Sequence, residues 1–212
     1  FKATTGKSDI NLSGVLDNFY GFLFKKQELK GNFNMSSNQI AVSDFLTSDK
    51  EKKENTASSE TKIPSFLNCT LTAKANKVLY DNLTLTAVSG KLIIKDQSVT
   101  LENGKTSIFG GAISFDGSVS TKEKTPNFKM DLGMNQVDIQ QTFTQLEMMK
   151  KIAPIAGVIN GKLNSTIAIS GNLDSKSITP DLKSLSGNLN GTLLSTSLNP
   201  SNSSVLKSFG SN

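Results

Sequence analysis

Histidine, arginine and tryptophan are absent from the 212 residues, cysteine occurs once, and no apolar run is long enough to span a bilayer. Each absence removes a class of function. Acid–base and nucleophilic catalysis lean on histidine or on carboxylates paired in a cleft, and here Asp and Glu are scattered among turn and loop segments. The chain therefore reads as a non-enzyme. Cys69 alone closes no intramolecular disulfide and builds no thiolate metal centre. No Asp-x-Asp-x-Asp loop with a closing glutamate indicates calcium. Gly110-Gly111 lacks the lysine and helix start of a phosphate loop. No cofactor is expected.

The formal charge of +5 and the pI near 9.2 suggest a polyanionic partner, but all 23 basic residues are lysine. Readers of base edges and phosphates rely on the planar arginine fork, and single-strand binders interleave aromatics with basic residues. Nucleic acid is therefore not expected, and the lysines are read as a solvated, edge-protecting surface. Phe1-Lys2-Ala3-Thr4 does not resemble a signal peptide, and the chain reads as a piece of a longer protein.

What is present is alternation. Apolar and polar residues alternate around Ile10–Leu16, Leu29–Met35, Ile40–Phe45, Leu67–Ala75, Leu83–Ala87, Lys91–Lys95, Ser98–Glu102, Thr106–Phe109, Ala112–Val119 and Asn127–Asn135, and again over Val158–Leu173 and Leu182–Leu194. Each is a predicted strand with one apolar face. Asp96-Gln97 and Asn103-Gly104 cue turns, the second in the form preferred by two-residue hairpins. Nine times a glycine sits with an apolar residue two before and two after it, at Gly14, Gly31, Gly90, Gly111, Gly117, Gly161, Gly171, Gly187 and Gly191. Spacing by two puts glycine on the apolar face, where it packs nothing. Such glycines mark bends, close approaches or space filled by something other than protein.

Helices are few. LDNFYGFLF, residues 16–24, places Phe19, Phe22 and Leu23 on a helical face that Gly21 interrupts. A firmer helix starts at Asp138, in capping-box spacing with Gln141, and carries Ile139, Phe143 and Leu146 on one side up to Pro154 and Gly157. It is expected to cover one end or edge of the sheet. Residues 47–62, TSDKEKKENTASSETK, hold almost nothing apolar and read as a solvated insert, and residues 199–212 as a frayed tail.

The expected fold is thus a single mainly β domain over residues 1–212, with one or two short helices and a curled antiparallel multi-stranded sheet. Its apolar face is covered either by the sheet folding on itself as a sandwich or by curling around a groove open to apolar ligand. The inward parity groups Phe115, Val119, Phe128, Met130, Leu132, Met134, Leu163, Ile167, Ile169, Leu185 and Leu189 as candidate lining.

In order and spacing, SDINLSG, ELKGNFNMSSNQIAVSDF, the charged gap, NKVLYDNLTLTAVSGKLIIKDQSVTLENGKTSIFGGAISFDGSVS, NQVDIQQTF, IAISGNL and DLKSLSGNLNG resemble the C-terminal region of the AsmA family, especially its Bacteroidota-type members. The resemblance runs from about Ser8 to Leu194. It implies a periplasmic section of a Gram-negative envelope protein anchored in the inner membrane, related in fold to TamB and the bridge-like lipid transfer proteins. The implied function is phospholipid transport or outer-membrane assembly through an apolar β-groove, with phospholipid or another apolar molecule as ligand. A scaffold segment without lipid, or a glycan-binding adhesin sandwich, are the alternatives. The second of these is disfavoured by the lack of Trp and by only two Tyr.

Overall fold

The computed structural model describes residues 1–45, 61–145 and 159–198. Ten strands form one open sheet in chain order: β1 (Lys2–Thr5), β2 (Ser8–Asp17), β3 (Leu29–Ala41), β4 (Leu67–Tyr80), β5 (Leu83–Lys95), β6 (Ser98–Ile108), β7 (Gly111–Ser120), β8 (Asn127–Asp138), β9 (Ile159–Asn172) and β10 (Ser186–Leu198). Two short helices interrupt them, α1 (Phe19–Lys25) between β2 and β3 and α2 (Ile139–Gln145) after β8. The protein is mainly β, and no second sheet packs on the first among the described residues.

Every pairing is antiparallel except β3–β4, whose strands run parallel from Leu29↔Leu67 to Ala41↔Leu79. The sheet is thus mixed rather than wholly antiparallel. A parallel neighbour needs a crossover that carries the chain back along the strand, and this one passes through residues 46–60. Those residues, which hold nearly all of the predicted insert, lie outside the described residues, as do the predicted tail at 199–212 and Leu146, Pro154 and Gly157 of the second helix.

Asn103-Gly104 is not a hairpin turn. Predicted strands Ser98–Glu102 and Thr106–Phe109 are the two halves of β6, and Asn103, at φ +55°, forms a bulge between them. The positive φ that suits a tight turn is spent on the extra residue of a bulge. Asp116 holds it there by accepting the Asn103 N–H at 2.7 Å. The chain reverses instead at Phe109-Gly110, both at positive φ (52° and 64°), and at Asp96-Gln97 (51° and 58°), as the sequence cued. Further register shifts fall beside Ala87 and Gln136, also at positive φ.

The sheet is curled, as the segment Thr61–Phe66 requires. The Thr61 N–H donates to Ser175 O beyond β9 and its hydroxyl to Lys176 O. The Ile63 N–H reaches Thr121 Oγ1 between β7 and β8, and Phe66 O accepts the Leu29 N–H at the start of β3. Because the Leu67 N–H turns back to Pro64 O, the six steps from Thr61 to Leu67 span at most about 18 Å. The path along the sheet from β9 to β4 crosses five strand spacings, about 24 Å. The segment is therefore a chord across an arc, a strap over the end of the sheet at which α1 also lies.

The opposite end carries α2. Its first turn is capped as the sequence predicts, with Asp138 Oδ1 accepting the Gln141 N–H at 2.7 Å. Ile139 is buried, and the helix packs on β8 and β9 and extends to the β4–β5 turn, where Gln145 O accepts from Asn82 Nδ2 at 3.0 Å. The side chain of Phe143 lies outside the described residues. Phe109, Val137, Ile139 and Thr142 are buried at this end, and Leu173, Pro126 and Thr121 at the other.

Candidate functional site: the apolar face of the sheet

Strand register assembles continuous rows across the molecule. One runs Gly14, Phe33, Leu71, Leu92, Leu101, Gly117, Met130, Ile169, Gly187 from β2 to β10. Its neighbour runs Leu16, Gly31, Cys69, Ile94, Val99, Val119, Phe128, Gly171. A third runs Gly104, Phe115, Leu132, Ile167, Leu189. The row between the first two, on the other face, reads Val15, Asn32, Thr70, Ile93, Thr100, Ser118, Lys129, Ser170, Ser186. One face is apolar and the other polar, as a half-solvated sheet demands.

The candidate lining residues fall largely where their parity put them. Phe115, Leu132 and Ile167 share a row, as do Met130 and Ile169, and Val119 and Phe128, while Met134 pairs with Ser165 and Leu163 with Val137. Leu185 precedes β10, and its side chain lies on the apolar face over Gly171, 2.9 Å from where a Cβ would stand. Leu189 is 70% exposed because no described strand flanks β10. The lining also extends beyond the residues singled out from sequence. Phe33, Leu71, Leu92 and Leu101 continue it through β3–β6, and the same alternation would have identified them.

This face has no cover among the described residues. Phe33, Leu71, Leu92, Leu101, Phe115, Met130 and Leu132 are each only half-buried, although they sit on central strands. In a closed sandwich such positions are dry.

The glycines record how tightly the sheet bends toward that face. A Cβ at Gly14 would collide with Asn32 O, at Gly104 with Phe115 O and at Gly187 with Ala168 O, and at Gly117 it would come 3.0 Å from Lys129 O. All these obstacles are backbone of the next strand. Gly133, whose register partner is the outward Ser114, meets only the Ser114 side chain. Gly31, Gly90 and Gly171 instead accommodate the side chains of Phe33, Leu101 and Leu185, and at Gly191 a Cβ would make ordinary contact with Leu163 Cδ1 at 3.6 Å. Gly111 is crowded by Asn135 O and Gln136 O beside the Phe109-Gly110 turn, and Gly161 has φ +155°.

Two aspartates are held by hydrogen-bond donors. Backbone N–H donors from Gln39 and then Asn38 hold the Asp9 carboxyl below the usual aspartate range. Asp174 is lowered first by the Ser177 N–H, then by the Ser177 hydroxyl and the Lys176 N–H, which together shape the β9–β10 loop. No helix among the described residues is long and apolar enough to cross a membrane. No protein-family model, no curated protein and no solved structure matches the chain.

Proposed function

We propose that the chain is a section of an apolar β-groove that holds the acyl chains of phospholipid, as part of an envelope protein of the kind the AsmA family comprises, with the periplasm as its compartment. The observation that carries this reading is the partly exposed apolar face running from β2 to β10, over which no second layer packs among the described residues. Apolar surface of that extent is costly in water unless something covers it. The crowding of inward glycines by neighbouring backbone supports a sheet concave toward the same face. Both ends are crossed by chain, the strap at one and α2 at the other, so an apolar ligand would lie along the trough between them.

Met130→Glu tests the proposal. Met130 lies mid-row between Gly117 and Ile169, and a carboxylate there would oppose an acyl chain. An open trough hydrates that carboxylate, so the fold is expected to survive by far-UV circular dichroism while phospholipid retained on purification falls. Lys129→Glu, on the polar face of the same strand, is expected to leave retention unchanged. A folded Met130→Glu protein with undiminished phospholipid, or a wild type that never carries any, would favour the scaffold reading.

A further inference from the structure

The link between β2 and β3 is longer and more apolar than the sheet needs. Two residues suffice to join other adjacent antiparallel strands, such as Asp96-Gln97 between β5 and β6 and Phe109-Gly110 between β6 and β7. Between Asp17 and Leu29 the chain inserts α1, whose sequence is FYGFLFK. Phe22 turns inward, its ring 5.3 Å from that of Phe66. Phe19, Tyr20, Leu23 and Phe24 are 52, 65, 52 and 70% exposed. A polar turn would close this hairpin without leaving three aromatic rings and a leucine in water.

The helix is held firmly. Asn18 and Lys26 flank it at φ 58° and 54°. Asn18 Nδ2 donates to Glu28 O at 3.1 Å, the Gln27 N–H donates to Gly21 O, and buried Gly21 has no room for a Cβ between the Asn18 and Gln27 side chains. Such clamping presents a fixed apolar platform.

Lysines lie nearest the rings, with Asp17 before the helix and Glu28 beyond it. No acidic residue lies in the first turn, and Lys25 and Lys26 follow the rings, Lys25 Nζ standing 5.7 Å from the Tyr20 ring centre. Glu28 is engaged by Asn68 Nδ2 at 3.0 Å. Exposed aromatic and leucine side chains beside lysines match the boundary between headgroups and acyl chains, where rings insert and lysine ammonium groups reach lipid phosphates. A protein partner would not require the lysines.

We propose that α1 is a membrane-docking site, with Phe19, Tyr20, Leu23 and Phe24 entering the headgroup boundary of a phospholipid surface and Lys25 and Lys26 contacting anionic lipid. The docked helix sets the strap end of the apolar face against the bilayer. The site stands on its own rings and lysines, whether or not the sheet carries lipid.

Flotation of the full chain with vesicles tests it, using phosphatidylcholine alone or phosphatidylcholine containing phosphatidylglycerol. The wild type is expected to float with the anionic vesicles. Tyr20→Ser/Leu23→Ser/Phe24→Ser is expected to lose at least about ten-fold in partition. Lys25→Gln/Lys26→Gln is expected to lose about five-fold per lysine on anionic vesicles only. These side chains are exposed, so melting temperature and circular dichroism should match the wild type and exclude misfolding as the cause. A wild type that does not float, or a triple serine variant that floats equally, overturns the proposal. Self-association in sedimentation velocity that the serine variant abolishes, without vesicle binding, would identify a contact between copies instead.

Discussion

The two ends of the curled sheet are closed by different physics. At the α2 end a capped helix inserts Ile139, 2% exposed, beside Val137, 1% exposed, and the reversal at Phe109, so the closure is a small dry core. At the α1 end a strap is held by hydrogen bonds, from Thr61 to Ser175 and Lys176, from Ile63 to Thr121 and from Leu29 to Phe66, over loops in which Leu173, Pro126 and Thr121 are buried. Burial of apolar side chains resists water and does not depend on any one partner. A strap bonded through a few polar contacts exchanges them with water at little net cost. The α2 end is therefore an anchor of the fold, and the strap is the releasable part of the α1 end.

Ile139→Ala should break this contrast most visibly, costing about 2–5 kcal/mol in urea unfolding because it empties the dry end. A loss below about 1 kcal/mol would show that the α2 end is no anchor. Between the ends, Gly104→Ala is expected to cost about 1–3 kcal/mol, since its Cβ would meet the Phe115 carbonyl in a central strand. Gly191→Ala, with its nearest obstacle at 3.6 Å, should be near neutral. Equal effects would refute the claim that neighbouring backbone crowds the inward glycines.

Thr121→Val probes the releasable strap. It keeps the shape but removes the acceptor for the Ile63 N–H and the donor to Gln97 O, and is expected to cost about 1 kcal/mol. Limited proteolysis should then cut near Thr61–Phe66 faster while the strands stay protected. Acid gives the smallest effect. Asp9 and Asp174 are held below the usual aspartate range by N–H donors, so the folded state binds their protons only at lower pH than the unfolded chain does. Their stabilisation is present above the ordinary aspartate pKa and is lost as pH falls from about 4 through the lowered values. Asp174→Asn should lower the melting temperature at neutral pH, and the gap to wild type should close in acid. A gap that widened in acid would reverse the sign argued here.

Much of the architecture could be read from period-two alternation. Phe128, Met130, Leu132 and Met134 declared one face of β8, and Asp138 declared the start of α2, because both signals are local. Asn103-Gly104 misled for the same reason. Its positive-φ preference is satisfied equally by a turn or a bulge, and only the pairing of β6 with β7 decides between them. The parallel β3–β4 pair and the strap depend on contacts between distant residues, Thr61 with Lys176 among them, and no local pattern encodes those. The platform on α1 was visible as a helix, yet its outward aromatics could be recognised only once Phe22 alone was seen to turn inward.

The strap also bears on the order of assembly. From β4 to β8 the chain is a run of hairpins, several closed by two-residue turns, and contacts of that kind form early because little chain must be ordered to make each one. The Thr61–Lys176 contact joins residues 115 apart, so loop closure delays it until β9 and its following loop are in place. The strap is thus expected to be the last part to lock and the first to unlock. Native-state hydrogen exchange gives the check. The Ile63 amide should exchange by local opening far sooner than the amides of β6 and β7, and equal protection would mean that strap and sheet assemble as one cooperative unit.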